Sequence, residues 1–287
     1  MSRVGLVIRL ACLALAFAVI WPPHLVVLRV LKRPSGFVPM LFHRIFLWLF
    51  SVRVTQTGTP PAPGEPALVL ANHVSWLDII AIGSLRPLSF VAKSEIAGWP
   101  VIGHLAVLQR TLFIDRARRG ATATVSAAMG HRLAGGELVV LFAEGTTGDG
   151  TRLLPFRSSL VSAARAALQA EGERGRVRLQ PLAITYPKRN GLPVVRSERA
   201  EIAWYGDMEL APHLATFVQG GPIDVHIVWG APILFEADSD RKVATAAAEA
   251  EVRRAIQGIV TGHAGREPAA SPAPASDLGT MGGLSAA

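Results

Sequence analysis

The stretch ALVLANHVSWLDII, residues 67–80, carries the clearest signal for the fold. Its first part, 67–72, is an apolar run that ends at Asn72 and has the length of a strand that is buried on both faces. Its second part opens a helix-compatible segment, 76–85, and the sequence S-W-L-D at 75–78 fits a capping box in which Asp stands in for Glu. A buried strand that passes directly into a helix is typical of α/β domains.

The same strand pattern recurs along the chain. Further β-prone runs lie at 52–57, 88–92, 111–114, 137–143, 177–186 and 224–230, and further helix-compatible segments at 117–135, 158–171 and 239–262. Continuous apolar runs such as LVVLFA indicate strands with both faces covered. The sequence therefore predicts an α/β fold with a mainly parallel or mixed sheet that is flanked by helices.

Two apolar segments precede this domain. Residues 10–28 contain no Asp, Glu, Lys or Arg, and their number is close to the roughly 20 residues that cross a bilayer core. Pro22 and Pro23 interrupt the run, which argues against a clean span. A second apolar run, 37–50, follows a basic turn. The pair predicts either a helical hairpin that dips into one leaflet, or one span followed by an interfacial helix.

The predicted organisation has three parts. Residues 1–50 form the hydrophobic membrane anchor, in two helices, and residues 51–263 form the α/β domain. The segment 264–287 is rich in Ala, Pro, Ser and Gly and is expected to be a disordered tail.

Composition points to lipid rather than to nucleic acid. Half of the residues are hydrophobic, 17% are charged and the mean hydropathy is +0.36. The formal charge of +8 suits any negative surface, but the arginines are not interleaved with aromatic residues along one stripe, so no nucleic-acid partner is expected. Cys12 is the single cysteine and no HExxH motif is present, so no disulfide and no metal site are expected.

The loop after the strand 67–72 carries a candidate catalytic pair. His73 lies between the predicted strand and the predicted helix, where α/β proteins place ligand-binding and catalytic groups. Asp78, in the first turn of the helix, is able to fold back and hydrogen-bond one imidazole nitrogen. His73 would then be a general base that takes a proton from a hydroxyl near neutral pH. Helix capping explains Ser75 equally well, but it does not explain His73.

A second polar loop follows the buried strand 137–143. In FAEGTTGDGTRLLPFR, residues 142–157, Glu144 is able to accept hydrogen bonds from substrate hydroxyls, and Thr146 offers a hydroxyl of its own. Gly145 permits close approach of a ligand to the backbone. An ordinary polar turn after a strand is the alternative interpretation.

A third stretch is basic. In LQRTLFIDRARRG, residues 108–120, Arg116 lies directly beyond a predicted strand end. A guanidinium binds phosphate in bidentate geometry, although a basic helix start is also common on solvated surfaces.

These motifs together resemble those of the glycerolipid acyltransferase family, which includes the 1-acylglycerol-3-phosphate acyltransferases. NHVSWLD at 72–78 resembles its Asn-His-x-Ser-x-x-Asp signature, FIDR at 113–116 its second block, FAEGT at 142–146 its Phe-Pro-Glu-Gly-Thr block, and LQPLAI at 179–184 its proline-centred fourth block. The blocks stand in family order, and the resemblance covers roughly residues 50–235, which makes the joint match specific.

The resemblance implies an α/β fold behind a two-helix hydrophobic anchor, and a histidine-aspartate pair that acts on an acyl thioester. It implies that His73 is the general base, that Asp78 orients it, and that Asn72 and Ser75 shape the loop. The implied substrate is a lysolipid, and the implied co-substrate is acyl-CoA or an acyl carrier protein, with no other cofactor.

The resemblance also implies the binding residues. Arg116 would hold the phosphate of the acceptor, and Pro181 would shape the side of the site that receives the acyl donor or the acyl chain. The remaining residues, which would bind the glycerol and phosphate end of the acceptor, are Glu144, Gly145 and Thr146.

Two positions depart from the family pattern. Thr147 stands where the family often has Arg, and Ala143 replaces the usual proline. Arg152 or Arg157 is able to supply the missing charge. The expected acceptor is 1-acylglycerol-3-phosphate, which would give phosphatidic acid. The alternative is lyso-ornithine lipid, because the run EGTTGDGTRLLPFRSSL resembles that of the bacterial lyso-ornithine lipid acyltransferases.

Three expectations complete the sequence interpretation. Direct transfer is expected, without a covalent acyl-enzyme, because the chain has no Gly-x-Ser-x-Gly motif and its cysteine lies in the anchor. The expected location is the bacterial inner membrane, with the catalytic domain on the cytoplasmic side. The alternative from another class is a non-catalytic lipid-binding protein of the membrane.

Overall fold

The structure is a computed structural model that describes residues 3–29, 36–115, 119–159, 161, 177–236 and 238–261. The predicted tail 264–287 and most of the predicted helix 158–171 lie outside the described residues.

Two apolar helices precede the domain. Helix α1, Arg3–Arg29, contains the segment Val4–Leu28, which is long and apolar enough to cross a membrane. At about 1.5 Å per residue, α1 is roughly 40 Å long, whereas α2, Phe37–Leu49, reaches only about 20 Å. The first helix therefore has the length of a span, and the second is too short to be one.

The prolines in α1 do not interrupt it. The helix runs through Pro22 and Pro23, contrary to the expectation from sequence. Trp21, next to this pair, is buried and packs its ring against Phe42 of α2, with the ring centroids 5.9 Å apart. We attribute the continuity of the helix to this packing, which supports the stretch where proline removes backbone hydrogen bonds.

The domain is built on one mixed sheet. Its strands are β1 Val52–Gly58, β2 Ala67–Ala71, β3 Ser89–Lys93, β4 Leu112–Ile114, β5 Leu138–Phe142, β6 Val177–Arg189, β7 Leu192–Pro193, β8 Ile223–Trp229 and β9 Ile233–Phe235. They lie in the order β1-β8-β6-β2-β5-β3-β4, while β7 and β9 pair with the two ends of β6. Strands β2 to β6 are mutually parallel, and β8 and β1 run the opposite way. The predicted fold class is confirmed.

Helices cover both faces of this sheet. Further helices are α3 Leu77–Gly83, α4 Ile102–Leu108, α5 Arg119–Ala134, α6 Arg199–Ile202, α7 Leu210–Gln219 and α8 Arg241–Val260, with single 3-10 turns at Ser94–Gly98 and Arg196–Glu198. Every residue of β2 and of β5 is buried. Alternate residues such as Val69 and Leu68 belong to two separate cores, one that includes α2, α3 and α7 and one that includes α5 and α8. Burial on both faces explains why these strands are continuously apolar.

The register of the central strands positions the site. Ala71 at the end of β2 is paired with Phe142 at the end of β5 on one side and with Leu182 of β6 on the other. The loops after β2 and β5 therefore leave the sheet side by side at its carboxyl edge, where α/β proteins bind ligands. Strand β6 continues beyond this edge and forms a wall next to both loops.

Candidate active site

The predicted pair of His73 and Asp78 is in direct contact. His73 Nδ1 lies 2.8 Å from Asp78 Oδ2, with the histidine side chain 15% exposed and the aspartate side chain fully buried. Because a carboxylate only accepts hydrogen bonds, Nδ1 carries the hydrogen and the lone pair of Nε2 remains free. This is the tautomer that a general base requires.

Asp78 is held by the backbone that surrounds it. The N–H groups of Val74 and Ser75 donate to Asp78 Oδ2 at 2.6 and 2.9 Å. The phenol of Tyr186, on β6, donates to the other oxygen, Oδ1. These donors compensate for burial of the carboxylate, which would otherwise be costly. Burial and the neighbouring Asp78 raise the pKa of Tyr186 well above its usual value, so its hydroxyl remains a donor.

The imidazole of His73 lies on an aromatic ring. The ring of Phe142, the last residue of β5, stacks on it with the centroids 3.8 Å apart and the planes 10° from parallel. Phe90, on β3, stacks on the far side of Phe142 at 6.0 Å. The histidine ring is thus fixed both by a hydrogen bond at its edge and by a packed face.

Asn72 and Ser75 hold the β2 loop, residues 72–76, in shape. Asn72 Nδ2 donates to the carbonyl of Ile184 at 3.0 Å, and the N–H of Ile184 donates to Asn72 Oδ1 at 2.8 Å. The side-chain amide therefore continues the pairing between β2 and β6 after the β2 backbone has left the sheet. Ser75 is fully buried, and its Oγ accepts from the N–H of Leu77 at 3.4 Å. Only one of the two hydrogen bonds of the predicted capping box is present, the one in which Asp78 accepts from the N–H of Ser75.

Glu144 joins the β2 loop to the β5 loop, residues 143–157. Its Oε1 accepts from the N–H of His73 at 2.8 Å, and its Oε2 accepts from the N–H of Leu154 at 3.1 Å. Burial raises its pKa to about 7, and the nearby charges of Asp78 and Glu249 act in the same direction. Sequence reasoning assigned this carboxylate to substrate hydroxyls, whereas in the structure both oxygens bind backbone N–H groups.

Other bonds secure the β5 loop. The N–H of Gly148 donates to the carbonyl of His73 at 2.8 Å, and Arg157 Nε donates to the carbonyl of Glu144 at 3.2 Å. The N–H of Phe156 donates to Glu249 of α8 at 2.9 Å. The loop is therefore attached at one end to the backbone of His73 and at the other to α8.

A cavity of about 330 Å³ opens beside His73. Of the residues predicted to bind substrate, Asn72, Glu144 and Arg152 line it together with the histidine. One part of its wall is apolar and includes Val74, Leu153, Val194, Ile202, Ala203, Ile256, Ile259 and Val260. Another part is polar and includes Asp149, Thr151, Tyr186 and Arg199. A cavity with these two kinds of wall suits an amphipathic substrate.

Other predicted residues lie away from the cavity. Ser75 is packed beneath the β2 loop, and Thr146 is exposed on the β5 loop. Gly145 forms the turn after β5 with φ +74°, a backbone conformation that favours glycine. Pro181 is buried within β6 opposite Leu70 of β2. Arg116 lies outside the described residues.

Sequence reasoning missed four polar residues that complete the site. Asp149 and Arg199 line the cavity, Glu249 holds the β5 loop, and Tyr186 donates a hydrogen bond to Asp78. The alternation of side chains along β6 could have indicated Tyr186, because residues 184 and 186 of a strand lie on the same face of the sheet. No local pattern points to Arg199 or Glu249, since the fold brings them to the site from distant parts of the chain.

Comparison of the sequence with known proteins identifies its family. The chain matches the family model described as Acyltransferase over residues 51–185. It is 42% identical over 235 residues to a lyso-ornithine lipid O-acyltransferase of Brucella abortus, which covers 81% of this chain and 87% of that protein. It is 43% identical over 106 residues to a 1-acyl-sn-glycerol-3-phosphate acyltransferase of Neisseria gonorrhoeae, which covers 36% of this chain and 42% of that protein.

A solved structure shares the fold. The crystal structure of a 1-acyl-sn-glycerophosphate acyltransferase from Thermotoga maritima superposes with a TM-score of 0.56 at 20% identity, covering 89% of this chain and 98% of that one. The Brucella relative matches most of both chains, well beyond the short motifs. The family resemblance inferred from those motifs is confirmed, and the chain belongs to the acyltransferase family.

Proposed function

We propose that this protein is a membrane-associated O-acyltransferase that moves a fatty acyl group from an acyl thioester to the hydroxyl of a lysolipid. The observation that carries the proposal is the contact between His73 and Asp78 at the edge of a cavity with one apolar and one polar wall. Membership of the acyltransferase family and the long apolar helix α1 support it.

The chemistry is a direct transfer. The acceptor hydroxyl gives its proton to His73 Nε2 while its oxygen attacks the thioester carbonyl and forms the new ester bond. The carbon–sulfur bond then breaks, and the departing sulfur takes the proton from the imidazolium. Asp78 stabilises that imidazolium and keeps the ring in the productive tautomer. The donor is acyl-CoA or an acyl carrier protein, and no further cofactor takes part.

The acceptor that the relatives favour first is lyso-ornithine lipid. A relative whose name gives this substrate, the Brucella abortus enzyme, matches 81% of the chain. The second candidate is 1-acylglycerol-3-phosphate, and the local match to the Neisseria enzyme favours it. In either case the active site works at a membrane surface, and we place the catalytic domain on the cytoplasmic side of the bacterial inner membrane, where acyl thioesters are made.

The predicted residues divide between catalysis and binding in this scheme. His73 is the base, Asp78 orients it, and Asn72 and Ser75 hold the loop that carries the histidine. Arg116 and Arg152 bind the acceptor. Glu144, Gly145 and Thr146 shape the β5 loop on the acceptor side, and Pro181 shapes the acyl-donor or acyl-chain side.

The test is an assay of the purified full chain in micelles with labelled acyl-CoA or acyl carrier protein and each of the two lysolipids. We expect one of the acceptors to be acylated, with activity retained after exhaustive chelation of metal ions. A lipid-binding protein without activity would leave both acceptors unchanged. Lipid analysis of a strain that lacks the protein separates the acceptors, because loss of ornithine lipids alone and loss of lipids derived from phosphatidic acid are distinct results.

A further inference from the structure

The segment 148–151 of the β5 loop lies directly against the catalytic residues. Gly148 N–H is bonded to the carbonyl of His73, as described above. At Gly150, with φ +70°, a Cβ atom added to the backbone would lie 3.1 Å from Cγ1 of Val74, the residue after the histidine. Asp149, between these two glycines, therefore lies beside the catalytic histidine and in the wall of the same cavity.

One oxygen of Asp149 is available to a ligand. Its Oδ1 accepts from both the N–H and the hydroxyl of Thr151, at 2.9 and 2.6 Å. Its Oδ2 has no hydrogen-bond partner among the described residues. The bonds from Thr151 hold the pKa of this carboxyl below its usual range, so Asp149 is an anion at neutral pH.

Cations line the cavity next to this anion. Arg199 Nη1 donates to the carbonyl of Gly150 at 2.8 Å. This bond fixes one edge of the guanidinium and leaves its other N–H groups available to a ligand. Arg152 lines the same cavity, and both arginines stabilise the charge of Asp149. Within the described part of the chain, neither is in an ion pair with it. The cavity thus presents a negative and a positive group side by side.

We propose that Asp149 and Arg199 form a headgroup subsite for a zwitterionic amino-acid acceptor, with the ammonium of the ligand at Asp149 and its carboxylate at Arg199. This inference rests on the proposed function and specifies the acceptor that the site selects. The ornithine headgroup carries one ammonium and one carboxylate, which matches this pair of charges. A phosphate monoester carries only negative charge, and the carboxylate in the cavity wall repels it.

The residue at position 147, Thr where the family often has Arg, also favours a zwitterionic acceptor over a phosphate. The acyltransferase resemblance leads one to expect an arginine at this position, beside the phosphate of the acceptor, and the chain has an uncharged residue there. The β5 loop has thus lost a cation at one position and presents an anion two positions further on. Both differences lower the affinity of the loop for a dianionic phosphate.

The test combines a change in the acceptor with a change in the protein. Initial rates are measured for the full chain in micelles with lyso-ornithine lipid and with the same lipid acetylated on its side-chain amine, which removes the ammonium. For the wild-type protein we expect kcat/KM to fall by about 10-fold or more on acetylation, because a charge-assisted hydrogen bond is lost. In Asp149→Asn, which keeps an oxygen for Thr151, we expect lower kcat/KM for the parent lipid and no discrimination between the two lipids.

The matched control is Asp207→Asn, which makes the same charge change on an exposed residue outside the cavity. It should discriminate between the two lipids as well as the wild-type protein does. The inference is overturned if Asp149→Asn lowers kcat/KM for both lipids by the same factor, or if wild-type protein acylates both equally well. If wild-type protein acylates 1-acylglycerol-3-phosphate and not lyso-ornithine lipid, the proposed acceptor itself is wrong, which is a separate result.

Discussion

The β2 loop and the β5 loop leave the same edge of the sheet, but they differ in how their polar groups are bound. In the β2 loop, Asn72 is bonded to the sheet, and His73 is bonded to Asp78 of the adjoining helix. In the β5 loop, Asp149 and Arg152 face the cavity with hydrogen-bonding capacity left over. The proposed catalytic groups are therefore held in a preorganised arrangement, while the adjacent β5 loop has groups available for selecting the substrate.

The largest expected effect falls on the β2 loop. Replacement of His73 by Ala should lower kcat by about 10³-fold, because it removes the general base. The variant should fold and associate with membranes as the wild-type protein does, since buried Asp78 keeps the N–H donors of Val74 and Ser75 and the phenol of Tyr186. Measured initial rates near those of the wild-type protein would disprove the role of His73 as the base.

The next largest effect is expected on the stability of the protein, through Glu144, which joins the two loops by hydrogen bonds. Its pKa of about 7 in the folded protein lies above its ordinary value of 4.5. Below pH 4.5 the carboxyl is protonated in both the folded and the unfolded chain. Between that pH and 7 the unfolded chain loses the proton first, so the stability of the wild-type protein should fall, by on the order of 3 kcal/mol.

The variant Glu144→Gln does not titrate and should lack this fall. The check is the free energy of unfolding of both proteins in micelles at pH 5 and pH 8. The stability of the variant relative to the wild-type protein should rise with pH. Glu209→Gln, on an exposed residue, is the control and should show no such trend. An equal change in both proteins between the two pH values would contradict the raised pKa.

Tyr186 tests whether the β2 loop depends on a partner from β6. The variant Tyr186→Phe leaves Asp78 Oδ1 without its phenol donor, and we expect kcat to fall by about 10-fold with little change in KM. The free energy of unfolding should fall by about 1–2 kcal/mol for the same reason. The only other tyrosine, Tyr205, lies outside the cavity lining, and Tyr205→Phe should change neither quantity. A rise in KM with unchanged kcat would show that Tyr186 binds substrate instead.

The smallest effect is expected at Phe142. The variant Phe142→Leu keeps an apolar residue but removes the ring stacked on His73, so kcat should fall about 2- to 10-fold. The difference between Phe142→Leu and Phe90→Leu, which changes the outer ring of the stack, isolates the contact with the imidazole. If both variants have the same kcat, general loosening of the core explains the effect better than the stack does.

The sequence predicts most of the strands and the contact between His73 and Asp78. The main strands start and end within a few residues of the predicted bounds, because runs such as LVVLFA, 138–143, are apolar throughout and are flanked by polar residues. The contact of His73 with Asp78 is also predictable, since it joins residues five positions apart on one strand-to-helix turn.

The acceptor side is less predictable because its contacts are distant in sequence. Thr146 and Gly145 fall in a matching motif, yet the turn after β5 directs them away from the cavity. Arg199 reaches the site only because the chain after β7 folds back over the β5 loop. Short elements such as α4 and β9 were also missed, since a few residues do not establish a period.

The bond between Phe156 and Glu249 has a consequence for the order in which the enzyme is made. It links residues 93 positions apart, and its acceptor lies on α8, which leaves the ribosome long after the catalytic histidine. Until that helix has been synthesised, the β5 loop lacks its far anchor and the wall formed by Ile256 and Ile259 does not exist. We therefore expect the cavity to take its complete shape only after α8 has been synthesised.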